Sequence, residues 1–389
     1  MNRFFLIIVL LSVQCALSSC KDGTNNAVDV IKVNDAQIQT LRMSEYFESI
    51  EYIALETKGE CLIGNNPSLY ITDEFVITIA SKKCFVFDRL TGKFIRKIGM
   101  EGRGAGEYSQ IPQGIIVNEQ GKTISFEQGD KLIEYSLVDG TINSPAIRIP
   151  PLLANKIAYI TKDSWVMSFL NFTGDIPSQM IFFDRERIID SIPNRYFFLP
   201  KTREISVNRN EILFYRYKNN VYHKDLYNDT IFEIADRKLR PEWVFEMEKS
   251  THLLHQLRGD PSTLYEEAEN YHLVYFILET DKYILFHTKY QKLTHPFLFD
   301  KEQRSVKKLE HNGFVNDIDG GLTFWPDFTS QNQDLVCFYQ AHVFKEEVNE
   351  KGLSAQNVKN VAEFKKTRTL AAQLNDDDNP VVVIATFKP

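Results

Sequence analysis

Short apolar runs broken by charged turns recur along this chain. The stretch "CFVFDRLTGKFIRKIG" (84–99) joins a strand-like run to a turn at Leu90-Thr91-Gly92 and then to a second strand of alternating polarity. "KLIEYSLVDGTINSPAIRI" (131–149) follows the same plan and turns at Asp139-Gly140, and "QMIFFDRERIIDSI" (179–192) does so with a glycine-free turn. "NDTIFEIADRKLRPEWVFEM" (228–247) and "PFLFDKEQRSVKKLE" (296–310) supply two more. The units start roughly 50 residues apart, the last interval being longer, and a recurrence of that length marks a repeat architecture. A β-sandwich or two unrelated β domains also use hairpins. Near-regular spacing favours the blades of a β-propeller, each of four short strands over roughly 40–50 residues. The abundance of Phe and Tyr suits packing between such sheets, where large rings fill the gap.

Two segments depart from the pattern. Residues 250–279 lack strand alternation at first and predict a helical insertion near 250–270. Residues 342–378 are polar, rich in Lys, Glu and Ala, and predict a second helical excursion near 345–374. The chain then ends in "NPVVVIATFKP" (379–389), a β-branched strand that needs a partner sheet. Its expected role is to complete a blade with an N-terminal strand, either "VDVIKV" (28–33) or "ESIEYIALE" (48–56), closing the ring and removing exposed edges. That closing blade makes six. The fold expected is all-β, a single six-bladed propeller over residues 28–389.

The start of the chain has a different character. Residues 1–19 carry a basic start at Arg3, an apolar run from Phe4 to Val13 and small residues before Cys20, the pattern of a secretory signal. The apolar run is shorter than the ~20 residues a spanning helix needs. Leu17-Ser18-Ser19-Cys20 resembles a bacterial lipobox, which implies a lipid on Cys20 and residues 20–27 as a flexible tether. With the leader removed, Cys61, Cys84 and Cys337 remain besides Cys20, an odd set that is no disulfide framework, though a Cys61–Cys84 pair stays open. Cys84, inside an apolar run, reads as a small core residue. A net charge of −7 offers no basic stripe, so nucleic acid is excluded as a partner.

At this point a resemblance becomes specific. "IEYIALETKGECLIG" (50–64), "VFDRLTGKFIRKIGMEGRGAGEY" (86–108), "NDTIFEI" with "LRPEWVFE" (228–246) and "DDDNPVVVI" (376–384) follow one another in order. Together with the lipobox they resemble the six-bladed β-propeller lipoproteins of Bacteroidetes, distantly related to NHL-repeat propellers. One departure is visible, since Ala105 stands where that family's loop has proline. The resemblance implies an outer-membrane lipoprotein on the periplasmic or cell-surface side, and no reaction.

Candidate chemistry is sparse. "GMEGRGAGEY" (99–108) looks like a phosphate cradle, but such a loop needs a helix after it. Here Pro112, Gly114 and Ile115-Ile116-Val117 predict a strand, and the Gly-Lys-Ser/Thr ending is missing. Gly99, Gly102, Gly104 and Gly106 are instead expected to permit positive φ in a crossing between blades. Arg103, Glu107 and Tyr108 are the candidate binding residues, facing a ligand from the channel mouth; the structural alternative has Arg103 and Glu107 tying the loop together with Tyr108 packed beneath it. His252 and His255 share a face of the helical insertion without an acidic third ligand, and read as a solvated pair rather than a zinc site. His223, His287, His295 and His311 lie beside strands or turns of different predicted blades. Asp376-Asp377-Asp378 reads as a solvated turn rather than a calcium loop. There is no G-x-S-x-G elbow, and no metal or cofactor is expected. The function expected is a lipid-anchored envelope protein binding a glycan, peptide or protein ligand without catalysis. The alternative is a hydrolase or lyase acting on glycans or peptides at the central channel.

Overall fold

The computed structural model describes residues 28–64, 67–80, 82–102, 104, 106–108, 116–149, 154–201, 210–330 and 332–389. Each predicted hairpin forms the third and fourth strands of a blade. In the first blade, Lys83–Asp88 pairs antiparallel with Phe94–Ile98, and Ser68–Ile71 and Phe75–Ala80 complete the sheet on its inner side. The same four-strand order repeats from Ile116–Asn118 to Ile142–Arg148, from Ala154–Thr161 to Ile188–Pro193, from Ile212–Tyr217 to Lys238–Glu246, and from Leu273–Glu279 to Ser305–Leu309. The sixth blade is composite: Phe328–Thr329, Leu335–Tyr339 and Val381–Phe387, with Phe47–Ala54 as its outer strand. The chain is a six-bladed β-propeller, as the periodicity predicts.

Strand polarity explains the ring. Along Lys83–Asp88, Cys84 and Val86 enter an apolar cluster shared with the second blade, while Phe85 and Phe87 enter one shared with the sixth. Alternate side chains thus feed opposite faces, and the run is apolar throughout because both faces are covered. Every neighbouring pair of blades is joined by such a cluster. The outer strand Phe94–Ile98 has solvent on one side and alternates in burial. At the hairpin turns Asp88, Asp184 and Asp300 occupy equivalent positions, each Oδ1 accepting two backbone N–H groups of the turn that follows. At Asp184 and Asp300 this short polar side chain holds the reversal without glycine.

Of the two candidate closing strands, the second does the work. Val381 to Phe387 pairs antiparallel with Phe47–Ala54. The earlier segment instead lies along the perimeter. Asp29–Lys32 adds parallel to Lys238–Glu246 and Gln37–Gln39 adds parallel to Ser305–Leu309, giving the fourth and fifth blades a fifth strand each. Ile31 is the reason it adheres, being fully buried among the apolar residues between those blades.

Both helical insertions are present. The first is a 3-10 turn, Thr251–Leu257, and a helix, Pro261–Ala268, whose Asp260 cap accepts the Thr263 N–H at 3.3 Å. The second comprises Ala341–Glu346 and Val361–Gln373, joined by a π turn, Glu347–Lys351. It packs Phe344, Val348 and Ala371 against Val381 of the closing strand. Cys61, Cys84 and Cys337 are all buried and free, and burial raises the Cys84 thiol pKa. Asp376–Asp378 is a turn, Asp376 pairing with Lys345 at 2.5 Å and Asp378 accepting the Asn375 N–H at 2.7 Å.

Candidate functional site: the axial cavity

The innermost strand of each blade faces the propeller axis, and between them lies a cavity of about 350 Å³. All six blades contribute to its wall, chiefly through rings: Tyr70, Tyr159, Phe214, Tyr275, Phe276 and Phe328. Two charged side chains, Arg216 and Asp327, interrupt this apolar lining. A mostly apolar cavity with a few placed polar groups is the usual form of a small-molecule site.

Arg216 sits near the end of Ile212–Tyr217, just before a tight turn in which Lys218 (φ 49°) and Asn219 (φ 67°) are both left-handed. This two-residue reversal matches the twist of the flanking strands. It also brings the Asn219 carbonyl back to accept from Arg216 Nη1 at 3.0 Å. The guanidinium carbon lies 3.4 Å from the centre of the Tyr159 ring, and Nη2 donates to the Tyr159 carbonyl. The cation is therefore held by a ring face and two carbonyls, one from its own turn and one from the neighbouring blade. Burial lowers its pKa, with Tyr159, Tyr70 and Glu119 opposing that shift.

Tyr70 carries the polar contact of the neighbouring wall. Its hydroxyl donates to Glu119 Oε1 at 3.1 Å, and its ring lies nearly parallel to Phe328, centres 6.1 Å apart. Glu119 follows the inner strand of the second blade. Burial pushes its carboxyl up to about 7; the Tyr70 hydrogen bond and Arg216 act against that, and Asp73 adds to it. Asp327 is likewise pushed up to about 6 by burial, with the Phe338 N–H opposing. The cavity wall thus carries one cation and one acid, with a second acid, Glu119, on the Tyr70 hydroxyl, and burial penalises the charged form of each.

The glycine-rich loop stands elsewhere. Tyr108 is fully buried and packs edge-on against Phe126, between the first and second blades. Glu107 folds back on its own loop, Oε2 accepting the Gly104 N–H at 2.8 Å. Neither side chain lines the axial cavity, and Arg103 lies outside the described residues. Of the four glycines, Gly99 (φ 63°) and Gly106 (φ 82°) adopt the left-handed region. Gly102 and Gly104 do not, contrary to expectation: a Cβ at Gly102 would collide with the Glu107 carboxylate that closes the loop.

The histidines also differ from expectation. His252 and His255 are not a solvated pair, for His255 is buried and stacks flat on Tyr196 with centres 3.6 Å apart. His287 and His295 belong to one blade, on the paired strands Tyr283–Tyr290 and Leu293–Asp300. Among the described residues, no three His, Cys, Asp or Glu side chains group as metal ligands would.

Sequence reading missed the candidate site residues Tyr70, Arg216 and Asp327 of the cavity wall, and Glu119 on the Tyr70 hydroxyl. The one available signal was Arg216, a lone cation within the aromatic strand "ILFYRY" (212–217).

Residues 28–386 match the family described as Domain of unknown function (DUF4934). The chain belongs to that family. The fold of this DUF4934 protein is shared by a protein of Bacteroides fragilis NCTC 9343 that is assigned as exported. That match has a TM-score of 0.69 at 16% identity and covers 93% of this chain and 100% of the other. An extracellular domain from B. thetaiotaomicron, of a protein assigned to a one-component system, is similar at a TM-score of 0.38 and 13% identity, covering 75% and 32%. At these identities the first likeness carries the fold alone. No curated protein matches the chain in sequence.

Proposed function

We propose that this DUF4934 protein is an exported, lipid-anchored envelope protein that binds a small ligand in its axial cavity. The observation that carries the reading is the cavity wall itself: rings from separate blades surround Arg216, which is already oriented by Tyr159 before any ligand arrives. Such pre-organisation lowers the cost of ordering a site on binding. Export is supported by the signal pattern of residues 1–19 and by the assignment of the B. fragilis protein as exported. Attachment is assigned to lipid on Cys20 because Leu17-Ser18-Ser19-Cys20 resembles a lipobox.

The test is to fill the cavity. Ala158→Trp, on an inner strand, should abolish thermal stabilisation by any hit from a screen of glycans and short peptides, while Thr329→Trp serves if the first variant does not fold. Hits that bind both variants unchanged would place the site elsewhere. Cys20→Ser should move the protein from the membrane fraction to the soluble one; continued sedimentation after a salt wash would refute lipid attachment there.

A second reading has one observation in its favour. Glu119 and Asp327 are both held near neutral pH, the condition for a general acid or base acting on glycans or peptides. Turnover of a screened hit, lost in Glu119→Gln and Asp327→Asn without loss of binding, would establish it.

A further inference from the structure

Arg216 is a cation without an anion. Two of the five guanidinium N–H donors are spent on the carbonyls of Asn219 and Tyr159. Among the described ion pairs none includes Arg216, although a desolvated guanidinium is costly unless an opposite charge faces it. The acid that acts on it, Glu119, accepts the Tyr70 hydroxyl on Oε1 and is itself driven by burial towards its neutral form. Around this charge the wall is apolar and aromatic. Arg216 itself therefore lacks an anionic partner, and a carboxylate, a planar anion that can take parallel N–H donors, supplies one.

The charge count also sets an upper limit. Arg216 is the single cationic side chain lining the cavity, and Asp327 lines it too. Of the anions that could pair with Arg216, a monoanion adds the least negative charge beside Asp327. A phosphate dianion would leave excess negative charge beside Asp327 and Glu119 in an apolar surround. The rings of Tyr70, Phe214 and Phe328 call for a flat apolar body attached to that anion.

We propose that Arg216 is the anchor for the carboxylate of a small monoanionic ligand whose flat apolar body lies against the rings of Tyr70, Phe214 and Phe328. This rests on the axial cavity being the binding site.

The probe is benzoate, with benzamide as its neutral match in shape, titrated calorimetrically into the mature protein. Benzoate should bind at millimolar or lower concentration, at least about tenfold more tightly than benzamide. Arg216→Met should bring benzoate down to the benzamide level, and Arg216→Lys, which keeps the charge but loses the fork, should fall between. If the Met variant does not fold, the Lys variant alone carries the comparison. Equal affinity for the two probes, benzoate binding unchanged in these variants, or no benzoate binding overturns the anion assignment. Ala158→Trp separates the two levels. If benzoate binds that variant as well as it binds the parent, the axial cavity is not the site. If filling the cavity removes both probes while their affinities are equal, the cavity stands and the carboxylate falls.

Discussion

Asn379 ties the end of the chain to its beginning: its Oδ1 accepts the backbone N–H of Ile63 at 2.8 Å, across 316 positions of sequence. Its amide nitrogen donates to the carbonyls of Glu56 at 2.7 Å and Cys61 at 3.0 Å, and the whole residue is buried. One side chain thus satisfies three backbone groups of the loop that leaves the sixth blade for the first.

Asn379→Ala should therefore destabilise the protein by about 2–4 kcal/mol, since several buried polar groups lose their partners together. Asn379→Asp keeps the acceptor but sets a carboxylate against two carbonyls, and should be no better. Urea denaturation measures both. A loss below about 1 kcal/mol for the alanine variant would mean that water replaces the amide at that seam.

Deleting residues 379–389 removes a strand paired on both sides, to Leu335–Tyr339 and to Phe47–Ala54. The expected result is aggregation or a melting temperature far below that of the intact chain, because the ring opens on an apolar edge. Light scattering during a thermal melt reports either. A truncated protein that melts like the full one would require a different closure.

The glycine loop separates two kinds of glycine. At Gly106, φ is 82° and a Cβ would lie 2.6 Å from Ile142 Cδ1, so Gly106→Val should cost about 1–3 kcal/mol. At Gly104 φ is not positive and the nearest obstacle is the Glu107 side-chain carboxylate. Gly104→Val should cost less than half as much. Equal losses in thermal melts would show that loop packing, not backbone conformation, decides both.

Glu119 makes stability depend on pH at neutrality. Its folded pKa, about 7, exceeds the ordinary value of 4.5, so its protonated form favours the fold. That contribution is complete below about pH 4.5 and is lost as pH rises through about 7. Glu119→Gln, which keeps a neutral side chain throughout, should flatten the decline in this window by on the order of 1–2 kcal/mol. Denaturation midpoints of parent and variant across that range check it, and parallel curves would remove Glu119 as the cause.

His287 acts in the opposite direction. Its ring stacks on Trp325 with centres 4.5 Å apart, and burial lowers its pKa from 6.5 to about 4. The stability it contributes is present above pH 6.5 and lost as pH falls through about 4. His223 and His272 are shifted the same way, so an acid limb persists without it. His287→Phe keeps the stack and should make that limb shallower by at most about 1.4 kcal/mol per pH unit. An unaltered slope would show that His287 is already charged or solvated in the fold.

Several features of the molecule were determined by local sequence. The hairpins at 84–99 and 296–310 are read from strand polarity and a turn because both signals lie within a few residues. The helical excursions show in the same way, with Asp260 and Asn360 capping their helices. The terminal strand needed a partner, and the β-branched run Val381–Val383 said so. Which partner it takes was decided only in three dimensions. Both N-terminal segments are apolar enough to pair, but the insertion folded between Tyr339 and Val381 and the Asn379 seam accompany pairing with Phe47–Ala54. The earlier strand is left to cover Ile31 against the fourth and fifth blades. The cavity was hidden for a related reason. Tyr70, Glu119, Tyr159, Arg216 and Asp327 are scattered along most of the chain, and none carries a local motif, since each belongs to or adjoins the inner strand of a different blade. Ring closure alone makes them neighbours, and the burial it brings gives their charges unusual values.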